Sequence, residues 1–147
     1  MSDWSRREFG MAMAAFATLA GVADAQGDAT MGLSKVFRYG ELPVVKNANG
    51  GESRAVMHGT LPTGEFVEVH ETMLPAGQMP HPAHKHSHSE FLLIREGDLQ
   101  YQDEDKWLPV GPGDVVFSAH NRMHGLKNVG TTPARYFVVA VGVQKAE

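Results

Sequence analysis

Past Gly27 the chain never sustains an apolar repeat of 3.6 residues. Short apolar or alternating runs recur instead, each closed by turn residues. They cover residues 53–58, 65–74, 90–95, 99–102, 106–110, 115–118, 123–129 and 135–143. The run "EFVEVHETML" alternates and stops at Pro75-Ala76-Gly77. "EFLLIR" stops at Glu96-Gly97-Asp98, and "DED" separates two runs as a hairpin would. With 16 glycines and 8 prolines, the chain has the turn chemistry that many short strands need. This pattern predicts an all-β fold, a sandwich, jelly roll or barrel, with few or no helices. Residues 26–35 read as an arm with little core of its own. There is no internal repeat and no sign of a second domain, so residues 26–147 form one domain.

The first 25 residues stand apart. Ser5-Arg6-Arg7-Glu8-Phe9 resembles the twin-arginine export motif. The alanine-rich apolar run 11–22 that follows is too short for a bilayer, which needs about 20 apolar residues. Ala23-Asp24-Ala25 offers small residues where a signal peptidase reads them, which predicts cleavage after Ala25. The competing reading is an amphipathic or buried N-terminal helix. A twin-arginine signal implies export in the folded state to the periplasm or beyond, with no membrane attachment after cleavage. Folding before export also lets a weakly held metal be loaded where copper is withheld, since copper outcompetes manganese and iron for most sites.

A net charge of -4 gives no electrostatic reason to expect nucleic acid as a partner. The chain has no cysteine, which excludes disulfides, thiolate catalysis and cysteine zinc sites. Any metal must therefore use nitrogen and oxygen ligands.

Such ligands are concentrated in "HPAHKHSHSE", residues 81–90, which holds four of the eight histidines. In an extended strand His84 and His86 share a face, and Glu90 lies two periods beyond His86 on the same side. Two imidazoles and a carboxylate suit a divalent ion but leave it short of a ligand. Downstream, His124 opens a strand-like run and is the better candidate for the fourth; His120 lies in the preceding connection. His88 has the parity of Glu90, but a turn before Glu90 would send it to a solvent-exposed rim. His81 falls on an approach loop, and His58 and His120 read as structural. His70 either lines the pocket or lies on the surface.

These residues resemble the two motifs of the cupin family. Gly77, His84, His86, Glu90 and Gly97 follow the first, Gly-x5-His-x-His-x3-Glu-x6-Gly, with six residues rather than five before His84. Gly113, His124 and Asn128 follow the second, Gly-x5-Pro-x-Gly-x2-His-x3-Asn. Ala119 and Asn121 stand in place of its proline and glycine; asparagine tolerates the left-handed backbone that such a glycine adopts. The resemblance implies a double-stranded β-helix of six to eight strands. It implies one divalent transition metal, manganese or iron first, then nickel, copper or zinc, held by His84, His86, Glu90 and His124. It also implies a homodimer packed through sheet faces. Leu92 and Ile94 share the parity of Glu90, and Leu126 and Asn128 flank His124, so Leu92, Ile94, Leu126 and His70 are expected near a substrate pocket. Phe117, Phe137, Val139 and Trp107 are core or interface.

Three functions are compatible with this reading. The first is a metal-dependent enzyme on a small organic molecule, with dioxygenase-type oxygen insertion favoured, Glu90 acting as base, and lyase, isomerase or hydrolase chemistry as its variant. The second is a non-catalytic protein that binds a metal or a small ligand. The third is a germin-like manganese protein, disfavoured by the missing cysteines and the short chain.

Overall fold

The computed structural model describes residues 31–142. The expected export signal, its cleavage site, the start of the arm and Val143 lie outside the described residues. The described chain is almost entirely β. Its nine strands are β1 (Val44–Lys46), β2 (Glu52–Thr60), β3 (Phe66–Leu74), β4 (Ser89–Glu96), β5 (Leu99–Asp103), β6 (Lys106–Val110), β7 (Val115–Ser118), β8 (His124–Asn128) and β9 (Ala134–Gly142). Among the described residues, a 3-10 turn, Tyr39–Glu41, precedes β1. All eight expected runs form strands. The count exceeds the expected six to eight because of β1, a three-residue stretch too short to show a period in sequence.

The strands form a six-stranded sheet, ordered β1-β2-β3-β9-β4-β7, and a three-stranded sheet, ordered β6-β5-β8. Every pairing is antiparallel, and strand pairing does not close the two sheets into one. The strict alternation of β9 along "ARYFVVAVG" places Ala134, Tyr136, Val138 and Ala140 inward. Ala134, Tyr136 and Val138 meet Leu74, Leu92, Ile94 and Val116 from their own sheet and Leu99, Tyr101 and Leu126 from the other. The core is this apolar layer between the sheets. Phe117 and Trp107 are outward and exposed, and Phe137 and Val139 are half-buried.

Gly97 turns the chain between β4 and β5 with φ 95°, and a Cβ there would sit 2.6 Å from the Cβ of Ala134. Only glycine meets both the left-handed backbone and the close approach. This positions the second sheet over the first.

The outer face of the large sheet carries a buried carboxylate. Glu71, on β3, is 0% exposed. Arg95 donates to it at 2.6 Å and Arg54 at 3.4 Å, and Arg135 lies 3.9 Å away. The Tyr39 ring covers Arg54 and Arg95, and its hydroxyl accepts from Arg135. One carboxylate thus fixes guanidiniums from β2, β4 and β9 and seats the 3-10 turn. Removing one partner of a buried ion pair leaves the others uncompensated. Glu71→Ala should therefore destabilise the protein by about 3 kcal/mol in urea unfolding, with Glu71→Gln costing less. An unchanged midpoint for Glu71→Ala would show that the cluster contributes nothing.

Candidate metal centre

The expected strand through His84 and His86 does not form. Pro80 and Pro82 lack the backbone N–H that a ladder needs, and β4 begins only at Ser89. What replaces the strand is a bridge across the molecule. His84 N donates to His124 O at 2.9 Å and His124 N donates to His84 O at 2.8 Å. A second tie fixes the next ligand candidate, as Asn121 N donates to His86 O at 2.7 Å. Asn121 has φ 57°, the left-handed geometry expected of the residue at this position. Turn 119–123 and loop 81–88 are thereby locked together.

The three imidazoles of His84, His86 and His124 converge, each offering one nitrogen, with these nitrogens within 4.8 Å of one another. Ring centroids are 5.2 Å apart for His84 and His86, and 4.7 Å for each of these with His124. Backbone carbonyls fix two of the tautomers. His86 Nδ1 donates to His88 O, and His124 Nδ1 donates to Arg122 O, both at 2.9 Å. A carbonyl only accepts, so each Nδ1 carries a proton, and in the neutral ring each Nε2 carries the lone pair. Both Nε2 atoms are buried and neither makes a hydrogen bond. Buried lone pairs aimed at one point, on rings oriented through their other nitrogen, are what a divalent ion requires of its ligands. The residues present fit a metal of borderline softness.

Glu90 stands beside this group on the inner face of β4, level with Ser118 of β7 and Ala140 of β9. Its Oε1 is 3.1 Å from His86 Nε2 and 3.0 Å from His88 Nε2; its Oε2 is 3.7 Å from His124 Nε2. Glu90 therefore clusters most tightly with His86 and His88, as a second group of potential ligands sharing His86. Burial pushes the Glu90 carboxyl up, but the surrounding imidazoles of His124, His86 and His88 outweigh it and hold the group well below the usual carboxylate range. Burial, and then the neighbouring imidazoles, push His84 down to about 4. Burial also lowers His124, but Glu90 and the Arg122 carbonyl outweigh it and leave the ring raised.

His88 departs from its expected position on an exposed rim. Its side chain is only 32% exposed, and its ring stacks on that of His86 at 3.6 Å between centroids. His81 lies on the approach loop, exposed, with its ring edge-on to His84 at 4.2 Å. His120 is exposed, and its backbone N–H donates to Ser89 Oγ. His70 lies on β3 with its Nδ1 2.7 Å from Glu68 Oε1, half-buried. Leu92, Ile94 and Leu126 belong to the hydrophobic core, at 4 to 5% exposure. Asn128 is a buried clamp that donates to Leu74 O and Thr132 O. A cleft of about 490 Å³ opens elsewhere, lined by Tyr101, Leu108, Phe117 and Arg122 among others, and by none of His70, Leu92, Ile94 and Leu126. Sequence reasoning missed Tyr101 and Ser118. Their side-chain oxygens are hydrogen-bonded, and the Tyr101 ring runs nearly parallel to that of His124. The signal was their inward parity with Leu99 and Val116.

The lowered His84 pKa has a sign that can be tested in metal-free protein. Between about 4 and the ordinary value of 6.5 the unfolded chain binds the extra proton. Stability at this residue is therefore undiminished above pH 6.5 and falls as the pH drops toward 4. His84→Gln should flatten the loss of stability over that window in chelator-treated samples. Parallel pH curves for the two proteins would contradict the assignment.

Residues 70–140 match the family described as Cupin domain. No curated protein sequence matches the chain. Among solved structures, an RmlC-like cupin from Shewanella frigidimarina aligns with a TM-score of 0.62 at 16% identity, covering 76% of this chain and 95% of the other. One from Thermotoga maritima, described as a predicted oxalate decarboxylase, aligns at 0.58 and 25% identity, covering 73% and 98%. The polyketide cyclase RemF from Streptomyces resistomycificus aligns at 0.59 and 16%, covering 78% and 88%. Proteins of this fold are thus described with different activities, and the fold alone does not choose among them. The chain has the cupin fold, and residues 70–140 carry the match to the cupin domain.

Proposed function

We propose that the protein is an exported metal-dependent enzyme acting on a small organic molecule, with His84, His86, His124 and Glu90 as the metal ligands. The observation that carries this reading is the pair of buried Nε2 lone pairs on His86 and His124, without hydrogen bonds and converging with His84. Three imidazoles and one carboxylate leave positions open on a six-coordinate ion. A manganese or iron ion held there would supply Lewis acidity and a place for a substrate oxygen, water or dioxygen. Oxygen insertion into an enol- or phenol-like substrate is the favoured reaction.

The chain's own residues have definite tasks in this scheme. The carbonyls of His88 and Arg122 keep His86 and His124 in the ligating tautomer. Glu90 would take the substrate hydroxyl proton on Oε2 once that oxygen leaves the ion, with Oε1 still held by His88. Leu92, Ile94 and Leu126 keep bulk water from the far side of the centre. Lyase chemistry at the same centre is the second reading, favoured by the likeness to the Thermotoga maritima protein.

His84→Ala and His124→Ala should each lower bound manganese or iron and the melting temperature together, read by elemental analysis and calorimetry. Unchanged metal content in both would refute the ligand set. Glu90→Gln should keep partial occupancy, and nitric oxide should perturb the spectrum of the iron-loaded protein; a site for storage alone would not respond.

A homodimer through the outer sheet face belongs to the same proposal. Phe91, Leu93, Val115 and Phe117 are 39 to 59% exposed, and the rings of Phe91 and Phe117 lie 5.0 Å apart. A contiguous apolar face of this kind favours association. Phe117→Asp should give a monomer in sedimentation, and an unchanged mass would place the interface elsewhere.

A further inference from the structure

We infer that His88 is a positioning residue that holds Glu90 for the metal through its Nε2–H, leaving one carboxylate oxygen for the ion. The inference rests on the proposed metal site and adds a residue that lies outside the four ligands.

Three observations converge on it. His88 Nε2 is 3.0 Å from Glu90 Oε1. A carboxylate only accepts, so His88 donates and its Nε2 cannot at the same time ligate a metal. The ring is stacked on His86, 3.6 Å between centroids and 9° between planes, which fixes the direction of that donor. The main chain of the same residue accepts from His86 Nδ1. His88 therefore orients two adjacent ligands at once, His86 through its carbonyl and Glu90 through its ring. Oε1, which His88 holds, lies 3.1 Å from His86 Nε2, and Oε2 is the oxygen on the side of His124, 3.7 Å from its Nε2. The arrangement selects binding through one oxygen over binding through both, which keeps a further coordination position open. Donors of this kind fix a ligand's orientation, and losing one typically costs 10- to 100-fold in metal affinity.

Two substitutions separate the hydrogen bond from the stack. His88→Phe keeps a flat ring against His86 but has no donor. His88→Gln places an amide N–H near the position of Nε2 and gives up the ring. The experiment titrates the metal-free protein with Mn²⁺ by calorimetry and with Co²⁺ by visible absorption, after thermal melts in chelator have matched the variants to the unaltered protein. The expected result is Mn²⁺ affinity about 10- to 100-fold weaker for His88→Phe, recovery to within a few-fold for His88→Gln, and a Co²⁺ spectrum altered only in His88→Phe. Equal affinity and spectrum for His88→Phe and the unaltered protein would overturn the role of His88 and leave the metal site standing. Equal losses in both variants would assign the effect to the stack and overturn the donor. No Mn²⁺ or Co²⁺ binding by the unaltered protein would overturn the metal site and this inference together.

Discussion

The candidate site depends on one pair of backbone hydrogen bonds, the mutual exchange between His84 and His124. Neither residue lies near the other in sequence, and His84 belongs to no strand. Without the exchange, loop 81–88 would have only the Asn121 tie to His86 to hold it against the turn before β8. Backbone pairing leaves the imidazoles without a positioning task of their own. The orientation of the His86 and His124 rings is set separately by the carbonyls of His88 and Arg122. Each level of structure therefore performs one job: main chain brings the rings together, and main chain again fixes their tautomers. The Nε2 atoms of His86 and His124 are left buried and without a hydrogen bond.

The two faces of the large sheet are put to different uses. Its inner face carries the core and, at one end, Glu90 beside the histidine group. Its outer face carries Glu71 with three arginines and, farther along, the exposed Phe91 and Phe117. Both carboxylates are surrounded by cationic or hydrogen-bonding groups, but the consequences differ. Glu71 meets permanent charges that only a fold can supply, and its contribution is to stability. Glu90 meets imidazoles, whose ring nitrogens donate to a carboxylate when protonated and bind a metal when not. The same chemistry of desolvation and pairing thus gives an anchor on one face and an adjustable ligand on the other.

Much of this was legible in the residues. Period-two runs ended by glycine and proline placed eight strands, because alternation and turn chemistry are local properties. The spacing of His84, His86 and His124 singled out the three imidazoles that converge. Asn121 was expected to accept a left-handed backbone, and its φ of 57° agrees. The placement of His88 was not legible. Strand parity is meaningful only inside a ladder, and Pro80 and Pro82 keep residues 81–88 out of one. The cluster around Glu71 was equally hidden, since its arginines come from β2, β4 and β9 and no local pattern joins them.

The sequence by itself determined the all-β architecture and the set of nitrogen and oxygen donors. Those follow from side-chain periodicity, from the lack of cysteine and from where proline and glycine interrupt the chain. Only the tertiary structure decided which donors face one another: that Glu90 lies between His86 and His88, that His88 is a partner and not a bystander, and that Leu92, Ile94 and Leu126 fill the core. Such choices depend on how two sheets and one loop pack, and packing is a relation between distant residues that no stretch of sequence contains.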